Sequence, residues 1–281
     1  MREEIMLKNY LRYHFRIFLI AYQFILVKTF YPLNLFLFNF YLYFTPDSEK
    51  VIRVCSEDGK VLYRKIDEER FFCNLQQGFT VYKMGISKRN QSLLYDYCLD
   101  EIDFSERDTV IDVGANVGDL FFALKNVVNY IPFEPSPLEF NALVYNLKRF
   151  NTPAFQLALG NENVHSTLYV NSDNADNSLI KYGHSNGEIN VEVKKLDSLK
   201  FPEKIKLLKI DGEGFEPEIL QGGLRTLQKV EYVSVDVSFE RGVKMESTLV
   251  PVLNLMLKSN FKVIKINHER MTILFQNLNI E

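Results

Sequence analysis

Two kinds of residue in this sequence invite chemistry: carboxylates that close short apolar runs, and glycines that follow the first of those runs. The stretch Thr109-Val-Ile-Asp112-Val-Gly114-Ala115-Asn116-Val-Gly118-Asp119 holds both. A β-branched run, a carboxylate, a glycine turn and then Leu120-Phe-Phe-Ala-Leu-Lys125 predict a buried parallel strand feeding a tight loop into a helix. Such a loop aims free backbone N–H groups, and the positive end of a helix dipole, at whatever lies above the strand ends. A second run, Val128-Asn-Tyr-Ile-Pro-Phe133, closes on Glu134 and Pro135. A later one, Lys206-Leu-Leu-Lys-Ile210, closes on Asp211, with Glu213 two residues on.

The glycines decide which cofactor fits. A dinucleotide fingerprint, G-x-G-x-x-G, lets the backbone touch a pyrophosphate. Here Asn116 stands between Gly114 and Gly118. Asparagine tolerates left-handed backbone, so the turn still forms, but the close pyrophosphate approach is not provided. The spacing argues against a nicotinamide dehydrogenase. It favours a cofactor with a nucleoside and an amino-acid end, S-adenosylmethionine. Asp112 would then face the cofactor's ammonium, the loop Gly114, Ala115, Asn116 and Gly118 would wrap it, and Glu134, ahead of Pro135, would grip the ribose diol.

Methyl transfer from a sulfonium to an alcohol is an in-line substitution that gains from a base within reach of the hydroxyl. Asp211 is the first candidate for base or acceptor-orienting residue, and Glu213 the second. Their adjacency would raise the pKa of one of them. The pair could equally hold a divalent cation, since hard oxygen ligands suit Mg²⁺ or Ca²⁺, although no residue pattern indicates one. Asp211 could instead touch only the cofactor's amino-acid end; Asp236 and Glu240, at the next strand end, are then the fallback.

Asp112-Val-Gly-Ala-Asn-Val-Gly118, Phe133-Glu-Pro135, Leu157-Ala-Leu-Gly160, Lys209-Ile-Asp-Gly-Glu-Gly214 and Glu218-Ile-Leu-Gln-Gly222 together resemble the FkbM family of S-adenosylmethionine-dependent methyltransferases. The resemblance runs over about residues 105–242, in the family's order and spacing. Gly212 departs from it, because the family more often has a small aliphatic residue there. The resemblance implies the class I methyltransferase fold and O-methylation, commonly of sugar or polyketide hydroxyls. It also implies a small lead-in region before the domain. Asn177 and Ser178 match the family's Asn/Ser pair, on a polar stretch that would overhang the acceptor. Asp236, Glu240 and Arg241 complete the expected acceptor side.

The elements that must position these residues follow from the pattern beyond Asp108. Strand-like and helix-like stretches alternate, as in a doubly wound α/β sheet. The expected architecture is a mostly parallel, seven-stranded, Rossmann-like sheet ending in an antiparallel hairpin, Phe261–Ile266 with Arg270–Phe275. Pro137–Lys148 reads as a helix with Leu138, Ala142, Tyr145 and Leu147 near one face and Ser136 as its cap. Phe155-Gln-Leu-Ala158 reads as the third strand, with Ala158, Leu159 and Gly160 near the adenine edge. Residues 161–198 break the alternation: Ser166–Val170 and Glu188–Val193 look like a β-hairpin insertion around a polar connection, either an acceptor lid or a solvated arm.

At 281 residues the chain holds a full α/β domain, expected at 105–281, plus extra. A net charge of −3 gives no electrostatic footprint for nucleic acid, so none is expected as a partner. A local basic patch would keep an RNA or protein methyltransferase open, and a non-catalytic cofactor-binding scaffold is a third reading. Asp112, Glu134 and Asp211 together argue for the enzyme. Cys55, Cys73 and Cys98 show no metal or redox spacing and read as reduced thiols in a cytoplasmic setting. The scattered histidines make no metal site.

Residues 1–50 differ from the rest. A mildly basic start leads into Ile17–Val27, then Lys28 and Pro32 interrupt before the aromatic-rich Leu33–Phe44. Neither half reaches the ~20 apolar residues that span a bilayer. Two readings stand: residues 1–46 associate with the inner face of the membrane, or they dock on protein. Residues 51–104 hold short alternating pieces, among them Phe79–Lys83, and a helical stretch at Ser92–Cys98 with Ile102, read as a structural lead-in.

Overall fold

The computed structural model describes residues 54–57, 61–66, 69–73, 86–124, 129–170, 177–181 and 187–280, the first three stretches as backbone alone. The hydrophobic segment 1–50, the expected strand at Phe79–Lys83 and most of the polar connection after Val170 lie outside the described residues.

Strands β1 (Val54–Glu57), β2 (Val61–Ile66) and β3 (Glu69–Cys73) form a small antiparallel sheet. Helix α1 (Ile86–Asp96) leads to β4 (Thr109–Val113), α2 (Asp119–Ala123), β5 (Asn129–Phe133) and α3 (Pro137–Leu147). Then come β6 (Ala158–Leu159), β7 (Val164–Val170), β8 (Gly187–Lys194), β9 (Ile205–Ile210), α4 (Glu216–Gln221) and β10 (Val230–Asp236). The chain closes with β11 (Phe239–Arg241), β12 (Glu246–Ser247), α5 (Leu249–Lys258), β13 (Phe261–Asn267) and β14 (Thr272–Asn277).

The main sheet has the order β13-β14-β10-β9-β4-β5, parallel from β10 to β5 and antiparallel through the final hairpin. Its central strands are apolar on both faces because the sheet is covered on both, as a parallel sheet requires. Ile111, Leu208, Val233 and Phe275 are register partners across four strands and all are fully buried. Each contributes roughly 1.5–3 kcal/mol of apolar transfer.

Among the described residues six strands are in ladder, and the place of the expected seventh is held by a single bridge. Phe155 N–H donates to the Pro132 carbonyl, and the Phe155 carbonyl accepts from Glu134 N–H, both at 3.1 Å. The chain then leaves: β6 pairs in parallel with β8, which pairs antiparallel with β7 in a second sheet. Pro153, just before the bridge, has no N–H with which to extend the ladder. The expected hairpin is thus present, and β6 ties it to the end of β5.

On α3 the buried face differs from the expected one. Ala142, Leu143 and Leu147 are buried with Glu139 and Asn146, while Leu138 and Tyr145 are exposed. The Ser136 hydroxyl donates to the Glu139 carboxylate instead of capping a backbone N–H. Asn146 Nδ2 donates to the Val117 carbonyl at 2.6 Å, tying α3 to the loop after β4. Buried polar anchors do not register in a hydrophobic pattern. Cys98 is a free, fully buried thiol. Among the described residues no helix is long and apolar enough to cross a membrane.

Candidate active site

A cavity of about 260 Å³ opens above the carboxyl ends of β5, β4 and β9. Open α/β sheets bind ligands there because loops diverge where the strand order reverses. Of the residues singled out in sequence, Asp112, Gly114, Ala115, Asn116, Glu134, Pro135, Ala158, Leu159, Asn177, Asp211 and Glu213 all line it. Gly118 does not; it caps α2 with φ 83° and packs on Leu143. Asn116 has the left-handed backbone expected of it, φ 50°. At Gly114, φ is 71° and a Cβ would stand 1.9 Å from the Asp211 carbonyl oxygen, so the β4 and β9 loops touch where no other residue fits.

Asp112 is only 1% exposed, and its charge already has a partner. Lys209 Nζ lies 3.0 Å from its Oδ1, and the Tyr130 hydroxyl donates to Oδ2. The same ammonium donates to the carbonyls of Gly114 at 2.8 Å and Val113 at 3.3 Å. Burial opposes the charge on Lys209, but the carboxylates of Asp112 and Asp211 outweigh it and hold the lysine pKa up. The residue expected against a cofactor's ammonium is therefore neutralised from within the sheet, and Lys209 sits in the cavity wall beside it.

Glu134 is also buried, with each oxygen held by a backbone donor. Oε2 accepts from Asn116 N–H and Oε1 from Ser136 N–H, both at 2.9 Å. Burial, reinforced by Glu139, pushes its carboxyl up to about 8. A carboxylate accepting from a ribose diol must be ionised. With Glu134 in the ribose-gripping role expected from the sequence, affinity for S-adenosylmethionine is expected to rise as pH increases from 6 through 8, and calorimetry on Glu134→Gln should show a flatter profile. The linkage runs the opposite way for the unliganded fold. A carboxyl whose folded pKa exceeds its unfolded value of about 4.3 contributes stability below pH ~4 that is lost as pH rises through 8.

Part of the cavity wall is apolar, with Leu159, Leu168, Phe215 and Ile219 among its residues, and suits a purine face. Of the Asn/Ser pair only Asn177 faces it. Ser178 is 1% exposed; its hydroxyl donates to the Glu213 carbonyl at 2.7 Å and anchors the loop.

Three carboxylates gather on the loops that follow β9 and β10. Asp211, Glu213 and Glu240 bring one oxygen each within 4.8 Å of one another, but only Asp211 and Glu213 line the cavity, and Glu240, expected on the acceptor side, does not. Burial alone would raise Asp211, but Lys209, Arg270, the hydrogen bond from Tyr97 and Arg89 outweigh it and hold the carboxyl low. Burial and Asp211 push Glu240 up to about 8 and Asp236 to about 6. Asp236 does not reach the cavity; it pairs with Arg270 Nε at 2.9 Å and accepts from Ser238 N–H at 2.9 Å. Arg241 is turned away too, paired with Glu218 at 2.6 Å and donating to the Gly214 carbonyl.

Sequence reading missed the cationic and aromatic parts of the wall: Arg89, Leu93 and Tyr97 along α1 and its end, Lys209 on β9, and Arg270 in the final turn. The first three recur every four residues, so one helix face carries them, and that spacing was a readable signal. The expected lead-in region thus supplies part of the site. Nothing local marks Arg270.

Buried acids at successive strand ends, a left-handed loop between strand and helix, and a half-apolar crevice define an α/β enzyme for a nucleoside-bearing cofactor. The signature of the methyltransferase FkbM domain matches residues 112–263, more than half of the chain. This chain belongs to the FkbM family, as an S-adenosylmethionine-dependent methyltransferase. It is 26% identical over 182 residues to methyltransferase 1 of Beauveria bassiana, covering 53% of this chain and 73% of that one. It is 28% identical over 136 residues to the hexuronic acid methyltransferase AglP of Haloferax volcanii, covering 47% and 56% respectively. The crystal structure of methyltransferase FkbM from Methylobacillus flagellatus KT aligns at a TM-score of 0.46 and 17% identity, over 63% of this chain and 45% of that one. The chain therefore spans about half the length of the last two proteins.

Proposed function

We propose that this chain O-methylates a small acceptor, a sugar hydroxyl of a glycan or glycolipid. The reading rests on one observation. Glu134 and Asp211 line a single cavity, together with the β4 loop and the apolar side chains Leu159, Leu168, Phe215 and Ile219. The wall fits a nucleoside with an amino-acid tail: apolar side chains for the base, a buried acid for the diol, and the β4 loop between. When bound, S-adenosylmethionine supplies a methyl on a sulfonium, whose S–C bond breaks as the O–C bond forms, leaving a neutral thioether. Asp211, held as an anion, accepts the hydrogen bond of the incoming hydroxyl and orients its oxygen. Glu213 is the neighbouring carboxylate in the cavity wall that can take the proton. A sugar acceptor is supported by the hexuronic acid specificity in the name of the Haloferax volcanii relative.

The test is a panel of methyl glycosides, neutral, amino and uronic, incubated with methyl-labelled S-adenosylmethionine and the full chain. Label in an O-methyl ether supports the reading. Cofactor binding without transfer to any sugar, but with transfer to RNA or protein, would replace it. Residues 1–46 extend the proposal to location. The full chain is expected to co-sediment with anionic vesicles and a chain lacking 1–46 is not; equal sedimentation of both would remove the membrane reading.

A further inference from the structure

Asp211 is gripped by two side chains that come from far apart in the sequence. Tyr97 follows α1, and Arg270 stands in the turn between β13 and β14. The Tyr97 hydroxyl donates to Asp211 Oδ2, and Arg270 Nη2 donates to the same oxygen at 3.2 Å. Arg270 Nη2 also lies 3.3 Å from the Tyr97 hydroxyl, and its guanidinium sits over the Tyr97 ring, 5.6 Å from the centroid. Its Nε pairs with Asp236, at the end of the neighbouring strand. Oδ2 is thus held from two sides, while Oδ1 has no hydrogen-bond partner among the described residues. Both clamping residues line the cavity.

The clamp is not the sole tie between the end of α1 and the sheet. Three other side chains bond to backbone carbonyls there: Asn267 Nδ2 to Tyr95, the Thr272 hydroxyl to Asp96, and the Ser234 hydroxyl to Tyr97. Those bonds leave the Arg270 guanidinium and the Tyr97 hydroxyl with the carboxylate as their shared partner. The charges that bear on Asp211 come from every adjoining element. Lys209 on β9, Arg89 on α1 and Arg270 favour its anion. Asp236 on β10, Glu216 on α4 and Glu240 on β11 are set against it.

We propose that Tyr97 and Arg270 are positioning residues for methyl transfer, fixing the Asp211 carboxylate by Oδ2 so that it meets the acceptor hydroxyl in one orientation. This rests on the role given to Asp211 above. A charge-assisted bond from the planar guanidinium sets direction as well as charge, which an ammonium or a water cannot reproduce.

The experiment uses the full chain as Arg270→Met, Arg270→Lys and Tyr97→Phe, with ¹³C-labelled aspartate and Asp211→Asn to assign the Asp211 carboxyl signal. Arg270→Met is expected to move the Asp211 titration midpoint up by about one pH unit or more, Tyr97→Phe by less, and Arg270→Lys to restore the midpoint in part. With any glycoside that turns over, Arg270→Met should lower kcat about tenfold or more with KM within about threefold. An unchanged Asp211 midpoint in both Arg270→Met and Tyr97→Phe overturns the proposal. Should Arg270→Met not fold, Tyr97→Phe and Arg270→Lys carry the same reading. Full transfer by Asp211→Asn would instead overturn the role of Asp211, while the carboxyl signal still reports on the clamp.

Discussion

Lys209→Met is expected to destabilise the chain by about 3–5 kcal/mol, the cost of leaving a buried charge uncompensated. Lys209 and Asp112 are both almost wholly enclosed, at 4% and 1% exposure, on adjacent strands of the parallel sheet. Methionine matches the stem of the lysine but removes the ammonium that faces Asp112 Oδ1 and the carbonyls of Val113 and Gly114. Tyr130 remains as a donor and cannot neutralise the carboxylate. Urea unfolding should show the loss as a lower midpoint at unchanged slope. The double variant Lys209→Met with Asp112→Leu should recover a large part of it, because two apolar side chains carry no desolvated charge. A single-variant loss below about 1 kcal/mol would mean that water reaches the pair and that Asp112 is free for other partners.

Asp211→Asn is expected to lower methyl transfer by about 100-fold or more while leaving the fold intact, the scale of removing an acid–base or orienting group. The amide keeps the shape and one acceptor oxygen, so the Tyr97 hydroxyl still has a partner and Arg270 still pairs with Asp236. What disappears is the Asp211 anion in the cavity wall. Glu240 is held up to about 8 by burial and then by Asp211, so its carboxyl should titrate lower in the variant. Affinity for S-adenosylmethionine, measured by calorimetry, should change by less than about threefold, since Glu134 and the β4 loop are untouched. Transfer at the wild-type rate would remove Asp211 from the reaction and pass the role to Glu240 or Glu213.

The sequence by itself determined the frame of the site. Period and residue type placed β4, β5, β9 and β10, because strands buried on both faces must be apolar throughout and the carboxylates that end them have no place in a core. The left-handed turn at Asn116 and the acids Glu134 and Asp211 were legible for the same reason: each is a local exception to a local rule. The final hairpin was legible from its alternation. The expected seventh strand was legible as an extended stretch, but not its partner, since hydrogen bonding to β8 is a long-range choice that Phe155-Gln-Leu-Ala158 does not encode.

Only the tertiary structure decided which charges meet. Asp112 looked available from its place at a strand end, yet parallel register sets Lys209 beside it, and an alternating side chain on a neighbouring strand is invisible to a reading along one strand. Asp236 and Arg241 looked like acceptor residues until Arg270 and Glu218 proved to be their partners. Arg270 is separated from Asp211 by 59 positions and from Tyr97 by 173, with no motif around it. Electrostatic pairing depends on distances across the fold, whereas strand and turn formation depend on neighbours in the chain, and that difference separates what was read from what had to be seen.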